Sequence, residues 1–570
     1  MCIEGKKRIS KQKPGGSKLK QKKEQQSVTA KPHRFFSPGL CALSIILPLC
    51  NIYGNYVVFG KSIEFNLVTL CEICFYSVVW YGIFCSLFAL LTSDVIAKRW
   101  TFAPFAAFKQ HIIRNTAIVL TLFWLGHLII KYPFGNDVDT YWQILQGMGY
   151  LQLTRAHPVF HTMLLAGFIK FGQLFGSKEA GAFLFVLVEM AAMALIFSYI
   201  VAFLDKIKTP DCLLLCAVLF FALSPFITGY VGHTIKDVYF CAFFALYVVL
   251  VAEYRLDRSG FTGKRAALFL LASTMLFLFR YNGILNMVPT AAVMMIRELR
   301  RRETRWKQML LLLTLSLALP LLLFAGLEML SNPAKGSIAE PLSLPFQQTA
   351  RFVKNHRDLV TDEEAEIIDR ILPFDELPEL YKEYISDPVK GSYKQNASTE
   401  DLKAYFRVWF RQFFRSPSTY FGATARQNIY LLYPRYSVYQ YSFDTNANVP
   451  EEDAEIYFEA PDYIKWLQPS YRRALNNLHT DPILYAINNL ACYIILFLAM
   501  FIYVTESGSK AHFLICIPLF MSFLSIIGGP CILGHPRYVF PIIWTAPLWF
   551  GVFTFCLREA KARKTKRSAI

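Results

Sequence analysis

The chain has 570 residues, of which 54% are hydrophobic, 16% aromatic and 18% charged, and its mean hydropathy is +0.34. A water-soluble fold has too little interior to bury that much apolar surface. Apolar stretches long enough to cross a bilayer recur between residues 38 and 557, and they are continuously apolar, as membrane-spanning helices are. The composition therefore excludes a secreted domain, a soluble dinucleotide-binding enzyme and a receptor with a single anchor.

The net charge is +18 at pH 7, from 59 Lys and Arg residues and 41 Asp and Glu residues. Such an excess can indicate nucleic-acid binding, but here the basic residues cluster in short segments beside the apolar stretches. In a membrane protein these segments mark the loops that stay in the cytoplasm. We therefore expect the lipid bilayer as a partner, and no nucleic acid.

The apolar stretches predict an all-α integral membrane protein with about 12 transmembrane helices. Eleven Lys or Arg residues and two Glu residues fall in 1–37, which predicts a disordered basic cytoplasmic tail. A transmembrane module follows over 38–330, then C-terminal helices over 483–557 and a second basic cytoplasmic tail over 558–570. The full-length spans are expected at 38–58, 67–92, 112–131, 179–204, 211–228, 237–252, 308–330, 484–504, 512–529 and 538–557.

Two apolar stretches need a different interpretation. If 158–176 crossed the membrane, the basic loops that follow would lie outside, so we predict a juxtamembrane helix in the outer interface, within an outer loop over 132–178. Two basic loops expected in the cytoplasm flank residues 266–296, so the chain must cross the membrane outward and return within this stretch. This predicts two short helices that turn at residues 280–283, as a pair of broken helices at a polar site does.

The polar segment 331–482 lies between the last two groups of spans. Residues 331–480 contain 21 acidic and 17 basic residues, a net charge of −4 (21 against 17), in a chain whose total is +18. Segments without a basic excess are favoured outside the cytoplasm. We therefore predict a mostly helical extracytoplasmic domain over 331–482, and we expect the protein in a plasma membrane with both termini in the cytoplasm.

On this topology many polar residues fall on the outer side. Ionisable groups at membrane depth are costly and tend to face a cavity or a partner, so together they predict one outer pocket. Simple solvation of loop residues is the alternative. The candidates are Asp137, Asp139, Gln143, His157, His161, His233, Lys236, Asp237, Arg280, Asn282, Gln347, Gln348, Arg351, His535 and Arg537.

Two carboxylates in the motif GNDVDTYWQ are candidate catalytic bases, Asp139 and Asp137. A carboxylate at the edge of a low-dielectric pocket can have a raised pKa and accept a proton from a hydroxyl or amine nucleophile. A helix N-cap is the alternative for Asp139, because Asp is favoured at that position.

The remaining candidates fit an anionic ligand better than a metal ion. His157 and His161 are four residues apart, a spacing that can bind metal, but no HExxH pattern accompanies them. A divalent metal is therefore allowed but not favoured, and no cofactor is certain. Lys236 and Asp237 could pair with each other, while the planar guanidinium of Arg280 suits a phosphate.

Seven short motifs occur in the order GNDVDTYWQ, AHPVFHT, TIKDVYF, FRYNGILN, LPFQQTARFVKNH, YISDPVK and GHPRYVFPI. Together, over roughly residues 130 to 545, they resemble an uncharacterised bacterial multi-pass membrane family related to the GT-C glycosyltransferases. The first two spans and both tails lie outside this resemblance.

The resemblance implies a GT-C-like fold and transfer of a sugar from a polyprenyl-phosphate carrier to an extracytoplasmic acceptor, which could be a cell-envelope glycan, a lipid or a protein. It also implies that Asp139, with Gln143 four residues later, is the catalytic aspartate, and that the short helices around Arg280 meet the lipid phosphate. The residues leave two alternatives open. One is a flippase or transporter of lipid-linked glycans, and the other is a non-catalytic envelope scaffold that would need neither Asp139 nor Arg280.

Overall fold

A computed structural model of the chain describes residues 36–93, 96, 103–436, 445, 446, 449, 456–478, 484–510, 512–529 and 532–568. These residues form α-helices, short 3-10 helices and four isolated β-bridges, and no β-strand occurs among them. The all-helical prediction is therefore confirmed for the described part of the chain. The predicted N-terminal tail, residues 1–37, lies almost entirely outside the described residues. Residues 94, 95 and 97–102 of the loop before the third span also lie outside them.

The first part of the chain contains most of the long apolar helices. Its helices are α1 (Pro38–Phe59), α2 (Leu67–Leu91), α3 (Ala103–Gln110), α4 (Ile112–Ile130), α5 (Val138–Met148), α6 (Val159–Leu174), α7 (Lys178–Lys206), α8 (Asp211–Leu223), α9 (Pro225–Thr228), α10 (Lys236–Leu256), α11 (Lys264–Phe279), α12 (Gly283–Arg301) and α13 (Trp306–Ser331).

The rest of the chain adds a polar helical segment and a second group of apolar helices. These helices are α14 (Ser343–Asn355), α15 (Asp362–Asp369), α16 (Leu377–Leu380), α17 (Asp387–Gly391), α18 (Thr399–Arg415), α19 (Pro417–Asn428), α20 (Asp462–Asn477), α21 (Leu490–Glu506), α22 (Phe513–Gly528), α23 (Phe540–Trp544) and α24 (Ala546–Ser568). Short 3-10 helices lie at Arg357–Leu359, Phe374–Glu376, Ile429–Leu431 and Pro536–Tyr538.

Seven helices among the described residues are long and apolar enough to cross a membrane: α1, α2, α4, α7, α8 with α9, α10 and α13. The shorter apolar helices are α6, α21 and α22. The chain is thus a multi-pass helical membrane protein. Helix α10 lies at the centre of the bundle, since 94% of its apolar stretch is buried inside the protein. In α2 only 11% of the corresponding stretch is buried.

Charged contacts define two ends of the helix bundle. At the Lys109 end, the ammonium of Lys109 lies 2.7 Å from Asp205 in the last turn of α7 and 2.8 Å from Asp211, the first residue of α8. At the Lys131 end, the ammonium of Lys131 donates to the backbone carbonyl of Thr228 at 2.9 Å. Helices α4, α7 and α8 with α9 therefore each run from one end to the other.

Helices α11 and α12 also run between the two ends. Arg258 at the Lys109 end binds Glu298 near the C-terminus of α12, and Arg280 between the two helices binds Asp237 at the start of α10. The chain therefore turns at Arg280, as the sequence predicts. At a rise of about 1.5 Å per residue the two helices are about 24 and 28 Å long, slightly short of a hydrocarbon core.

Helix α6 keeps both of its ends at the Lys131 end. The amide of Val159 at its start donates to the Tyr281 hydroxyl at 3.0 Å, and Gly172 near its C-terminus packs against Gly181 in α7. Its outer face exposes large apolar side chains, with Leu174 82% and Phe175 76% exposed. An apolar helix lying across one end of a bundle fits the predicted juxtamembrane helix.

The polar segment is divided between two cores. Residues from Ala339 to Val408 form a separate apolar core that includes Phe346, Ile368 and Tyr405. Tyr430, Leu431, Phe458 and Leu475 instead join the main core of the membrane helices. The later part of 331–482 therefore packs on the bundle, and only the earlier part has a core of its own.

Candidate functional site

Two loops at the Lys131 end are held in register with each other. The amide of Gly135 donates to the carbonyl of Gly232 at 2.7 Å, and the amide of Thr234 donates back to the carbonyl of Gly135 at 3.1 Å. A Cβ at Gly135 would lie 2.7 Å from the His233 ring, so only glycine fits there without displacement. This pairing fixes the start of α5 relative to the start of α10.

The fully buried Lys131 anchors the second of these loops. Its ammonium donates to the carbonyls of Thr228, Gly229 and Val231 at 2.9, 2.8 and 2.7 Å, which satisfies carbonyls left open at a helix C-terminus. Sequence reasoning missed this residue. The available signal was a single Lys between an apolar span and the motif with the two aspartates.

The centre of the site is a set of ion pairs between three separate segments. The Asp139 carboxylate lies 2.5 Å from the Lys236 ammonium and 3.5 Å from the Arg537 guanidinium, which is 3.4 Å from Asp137. These side chains are 11 to 27% exposed. Asp139 lies inside the first turn of α5 and Asp137 is the N-cap residue, so the capping alternative for Asp139 is wrong.

A second ion pair adjoins the first. Arg280 binds Asp237, the neighbour of Lys236, and its guanidinium lies 5.5 Å from the centre of the Phe240 ring. The suggested pairing of Lys236 with Asp237 is wrong, because successive residues at a helix start point to different partners. The Lys131 end thus brings together three cations, Lys236, Arg280 and Arg537. Each of them has a carboxylate partner.

The two histidines have different surroundings. His157 Nδ1 lies 3.4 Å from the Lys236 ammonium, whereas His161 in α6 is fully buried and lies 2.9 Å from the side-chain nitrogen of Gln143. Gln143 also donates to the Thr162 hydroxyl at 3.0 Å. His157 precedes α6, whereas His161 lies in its first turn, so the four-residue helical spacing expected from the sequence does not apply to the pair. No group of three or more His, Cys, Asp or Glu side chains in the described residues could hold a metal ion.

Burial and charge shift the pKa values of the acidic groups in opposite directions. Burial alone would raise the pKa of Asp139, but the charges of Lys236 and Arg537 outweigh it and hold that pKa well below its usual range. Burial raises the pKa of Asp137, because Arg537 offsets it only in part. The raised pKa expected for the catalytic carboxylate therefore belongs to Asp137. The pKa of Asp139 is lowered because its cations are so close.

Burial and the charge of Lys236 lower the pKa of His157 to about 4, although Asp139 opposes the shift. The imidazole is therefore neutral near pH 7. A neutral ring beside an ammonium adds no positive charge to the unliganded site, and it can still accept a proton when a negative charge binds nearby.

Three predicted residues, Gln347, Gln348 and Arg351, lie on α14 in the separate core. Gln348 donates to the Thr424 hydroxyl at 3.1 Å, and Arg351 lies against Gly422. Gln347 donates to the carbonyl of Ile385 at 2.7 Å. Within the described residues these side chains support the packing of the polar segment, and their ligand-binding role stays a prediction.

Gln347 nevertheless supports the loop that carries Arg537. The amide of Leu533 donates to the carbonyl of Tyr384 at 2.8 Å, and Ile385 forms a β-bridge with Ile532. His535 then accepts a hydrogen bond from the amide of Arg537 at 3.4 Å. The polar segment therefore helps to position the third cation of the site.

The other two predicted residues lie at the edges of the site. His233 packs against Gly135 and lies 5.1 Å from the Tyr230 ring. The Oδ1 atom of Asn282 is buried and has no hydrogen-bond partner among the described residues, although Asn282 is the N-cap residue of α12. Buried polar atoms usually have a partner, so a ligand or water is expected at Asn282.

The fold and site together define a multi-pass helical membrane protein with a charged cluster at one end of its helix bundle. The chain belongs to a family of unknown function (DUF6020), whose model matches residues 148–569. Lys236, Arg280 and Arg537 lie inside the matched residues, whereas Asp137, Asp139 and Gln143 precede them. No curated protein and no solved structure matches the chain.

Proposed function

We propose that this protein is a membrane glycosyltransferase that moves a sugar from a polyprenyl-phosphate carrier to an extracytoplasmic acceptor. The observation that carries the proposal is the Asp139 carboxylate, held 2.5 Å from Lys236 and 3.5 Å from Arg537 at the end of the membrane helices. A polyprenyl carrier lies in the bilayer while its phosphate and sugar lie at the headgroups. A charged site at the end of a helix bundle matches that division.

The cations of the site are suited to the phosphate of the donor. Displacement at the anomeric carbon breaks its bond to a phosphate oxygen, and negative charge then develops on the departing polyprenyl phosphate. Lys236, Arg280 and Arg537 would stabilise that charge. In the structure Asp139 and Asp237 already pair with cations of this set, so the donor phosphate would compete with these two carboxylates.

That competition gives Asp139 a role as general base. In the unliganded site the paired cations keep its pKa low, so the carboxylate is ionised but a poor acceptor of protons. When the phosphate draws Lys236 and Arg537 away, the pKa of Asp139 rises. The acceptor hydroxyl or amine then attacks the anomeric carbon and gives its proton to Asp139.

The proposal includes a GT-C-like topology in a bacterial plasma membrane. About twelve helices would cross, with α11, α12, α21, α22 and α24 joining the seven long ones, and α6 would lie in the outer interface. The Lys131 end and the segment 331–482 would face the extracytoplasmic side. Both termini would lie in the cytoplasm.

Asp139→Asn tests the proposal against Asp137→Asn as the matched control. Asn preserves the size of the side chain but cannot take up the acceptor proton, so we expect turnover to fall about 100-fold or more while donor binding remains. Asp137→Asn should reduce turnover less than Asp139→Asn does. The assay measures release of polyprenyl phosphate from defined polyprenyl-phosphate sugars by the purified full chain, with envelope extract as the acceptor source. Equal turnover of Asp139→Asn and the parent would remove Asp139 from the mechanism.

A further inference from the structure

A second charged cavity lies at the opposite, Lys109 end of the bundle. Its volume is about 510 Å³, and it lies between the C-terminal turns of α7 and α10 and the middle of α24. Phe203, Leu256 and Phe555 form an apolar wall, while charged side chains from all three helices line the rest. We call it the Arg255 cavity.

The acidic groups of the Arg255 cavity already have partners. Glu253 accepts a hydrogen bond from the Tyr199 hydroxyl at 2.5 Å and lies 3.8 Å from Lys206. Asp257 lies 2.9 Å from Lys206, and Glu559 lies 3.1 Å from Arg563. These carboxylates therefore form their close ion pairs with cations other than Arg255, although Glu559 is near enough to attract Arg255 at longer range.

Two cations that line the cavity have no such partner. No carboxylate oxygen of the described residues lies within 4.0 Å of Arg255 or Lys208, and Arg255 is half-buried.

Arg297 in α12 is close enough to repel the charge of Arg255. The Nε atom of Arg297 is buried and has no hydrogen-bond partner in the part of the chain that the structure describes, and its guanidinium lies 5.4 Å from the Tyr254 ring.

Like charges in a half-buried position destabilise the fold unless an anion lies between them. The C-terminal dipoles of α7 and α10 offset part of this repulsion, because cations are favoured at helix C-termini. Arg301 repels Arg255 as well, so the offset is incomplete. A guanidinium with unused N–H groups, moreover, forms its strongest contacts with a phosphate or carboxylate.

We infer that the Arg255 cavity binds the phosphate of an anionic phospholipid from the adjoining leaflet. The apolar wall and the position at the ends of membrane helices favour a lipid over free phosphate, since acyl chains can follow Phe203 and Phe555 into the bilayer. The phosphate would contact Arg255, and Lys208 would lie at the cavity edge. Arg297 does not line the cavity but adds positive charge beside Arg255. This site is separate from the Asp139 cluster and does not depend on its chemistry.

Binding of phosphatidylglycerol to the purified full chain in neutral detergent tests this inference. Native mass spectrometry counts retained lipid, and a thermal midpoint measures stabilisation. We expect phosphatidylglycerol to be retained and to raise the midpoint, and phosphatidylcholine to do neither. Arg255→Gln with Arg297→Gln should weaken phosphatidylglycerol binding about tenfold or more, because a charge-assisted hydrogen bond and a neighbouring positive charge are lost.

Arg300→Gln is the matched control, because Arg300 lies on the same helix but is exposed. It should bind phosphatidylglycerol as the parent does. The single variant Arg255→Lys keeps the positive charge but not the planar guanidinium. It separates a folding defect from a binding defect, since it should fold and bind with intermediate strength. Equal binding of the two lipids by the parent, unchanged binding by the double variant, or equal stabilisation by inorganic phosphate would each overturn the inference.

Discussion

Three carboxylates and three cations balance each other at the Lys131 end. Asp137, Asp139 and Asp237 pair with Arg537, Lys236 and Arg280, and the neutral His157 adds no charge. A phosphate ligand would therefore bring one uncompensated negative charge, which the site can accommodate by taking up a proton. His157, beside Lys236, is positioned to accept that proton.

The low pKa of His157 predicts a pH-dependent stability of the unliganded protein. Burial and Lys236 lower this pKa from 6.5 to about 4, so between these pH values the unfolded chain binds a proton that the folded chain does not. Stability is therefore fully present above pH 6.5 and falls as the pH drops toward 4. His157→Gln, neutral at every pH, should make that decline shallower.

The measurement is the thermal midpoint of parent and His157→Gln in matched detergent from pH 7.5 to 4. At pH 7.5 the imidazole is neutral and the two proteins should have similar midpoints, which controls for a packing defect. An identical decline in both proteins would show that protonation of His157 does not contribute to acid destabilisation.

Sequence reasoning found most of the residues at this site but not their pairing. Asp139, Lys236, Arg280 and Arg537 stand out because charges beside apolar spans are rare. Their partners depend on how distant loops meet, and the Gly135–Gly232 contact joins segments about a hundred residues apart in the chain. The local N-cap pattern likewise suggested the wrong role for Asp139, since the helix begins two residues earlier than an N-cap at Asp139 would require.

At the scale of helices and loops, Lys131 determines how α4 and α9 meet. Its removal by Lys131→Met leaves three carbonyl groups unpaired in a dry environment. We expect a loss of about 3 kcal/mol or more in the free energy of unfolding, as for other buried charged hydrogen bonds. Thermal or denaturant unfolding measures it.

Lys170→Met provides the control for Lys131→Met, since Lys170 is exposed on α6 and the same change there should cost little. Equal midpoints for the two variants would mean that the carbonyl contacts of Lys131 do not stabilise the loop.

The crossing of α6 and α7 depends on two small residues. A Cβ on Gly181 would overlap the backbone carbonyl of Phe168 and lie 2.9 Å from the amide nitrogen of Gly172. Because backbone atoms cannot rotate away, Gly181→Ala should push the helices apart and move His161 out of contact with Gln143. We expect a lower thermal midpoint and a loss of turnover.

Gly167→Ala is the matched control for the α6 crossing, because a Cβ there meets no atom within 4 Å. This variant should retain the midpoint of the parent, or exceed it slightly, since Ala favours a helix. If Gly181→Ala retained full stability and turnover, close packing of the two helices would not be required.

The predicted helices agree with the structure where a long apolar stretch defines the helix. They differ where packing between helices determines where a helix begins or which core a residue joins. The spans at 38–58, 67–92, 112–131 and 308–330 match α1, α2, α4 and α13 within a few residues. The span at 538–557 instead begins with a 3-10 turn and the short α23, interrupted at Thr545. The sequence also showed no sign that Tyr430 and Phe458 would leave the polar segment and join the main core.

At the scale of the whole molecule, the charges separate the two ends of the bundle. The Lys109 end gathers the basic loops around Arg258, Arg297 and Lys561, whereas the Lys131 end carries the balanced cluster and the polar segment. Positively charged loops remain in the cytoplasm during insertion. The sequence could predict this arrangement because it depends on charge distribution rather than on side-chain packing.

Cysteine accessibility tests the orientation that follows from these charges. Glu400→Cys lies on α18 in the polar segment, where the side chain is 76% exposed, and Arg300→Cys lies at the Lys109 end. In cells carrying the full chain with its 13 native cysteines replaced, a membrane-impermeant maleimide should label residue 400 in intact cells and residue 300 only after lysis. Each variant is the other's control for reagent entry. Labelling of residue 400 only after lysis would invert the orientation, and with it the extracytoplasmic acceptor of the proposed transferase.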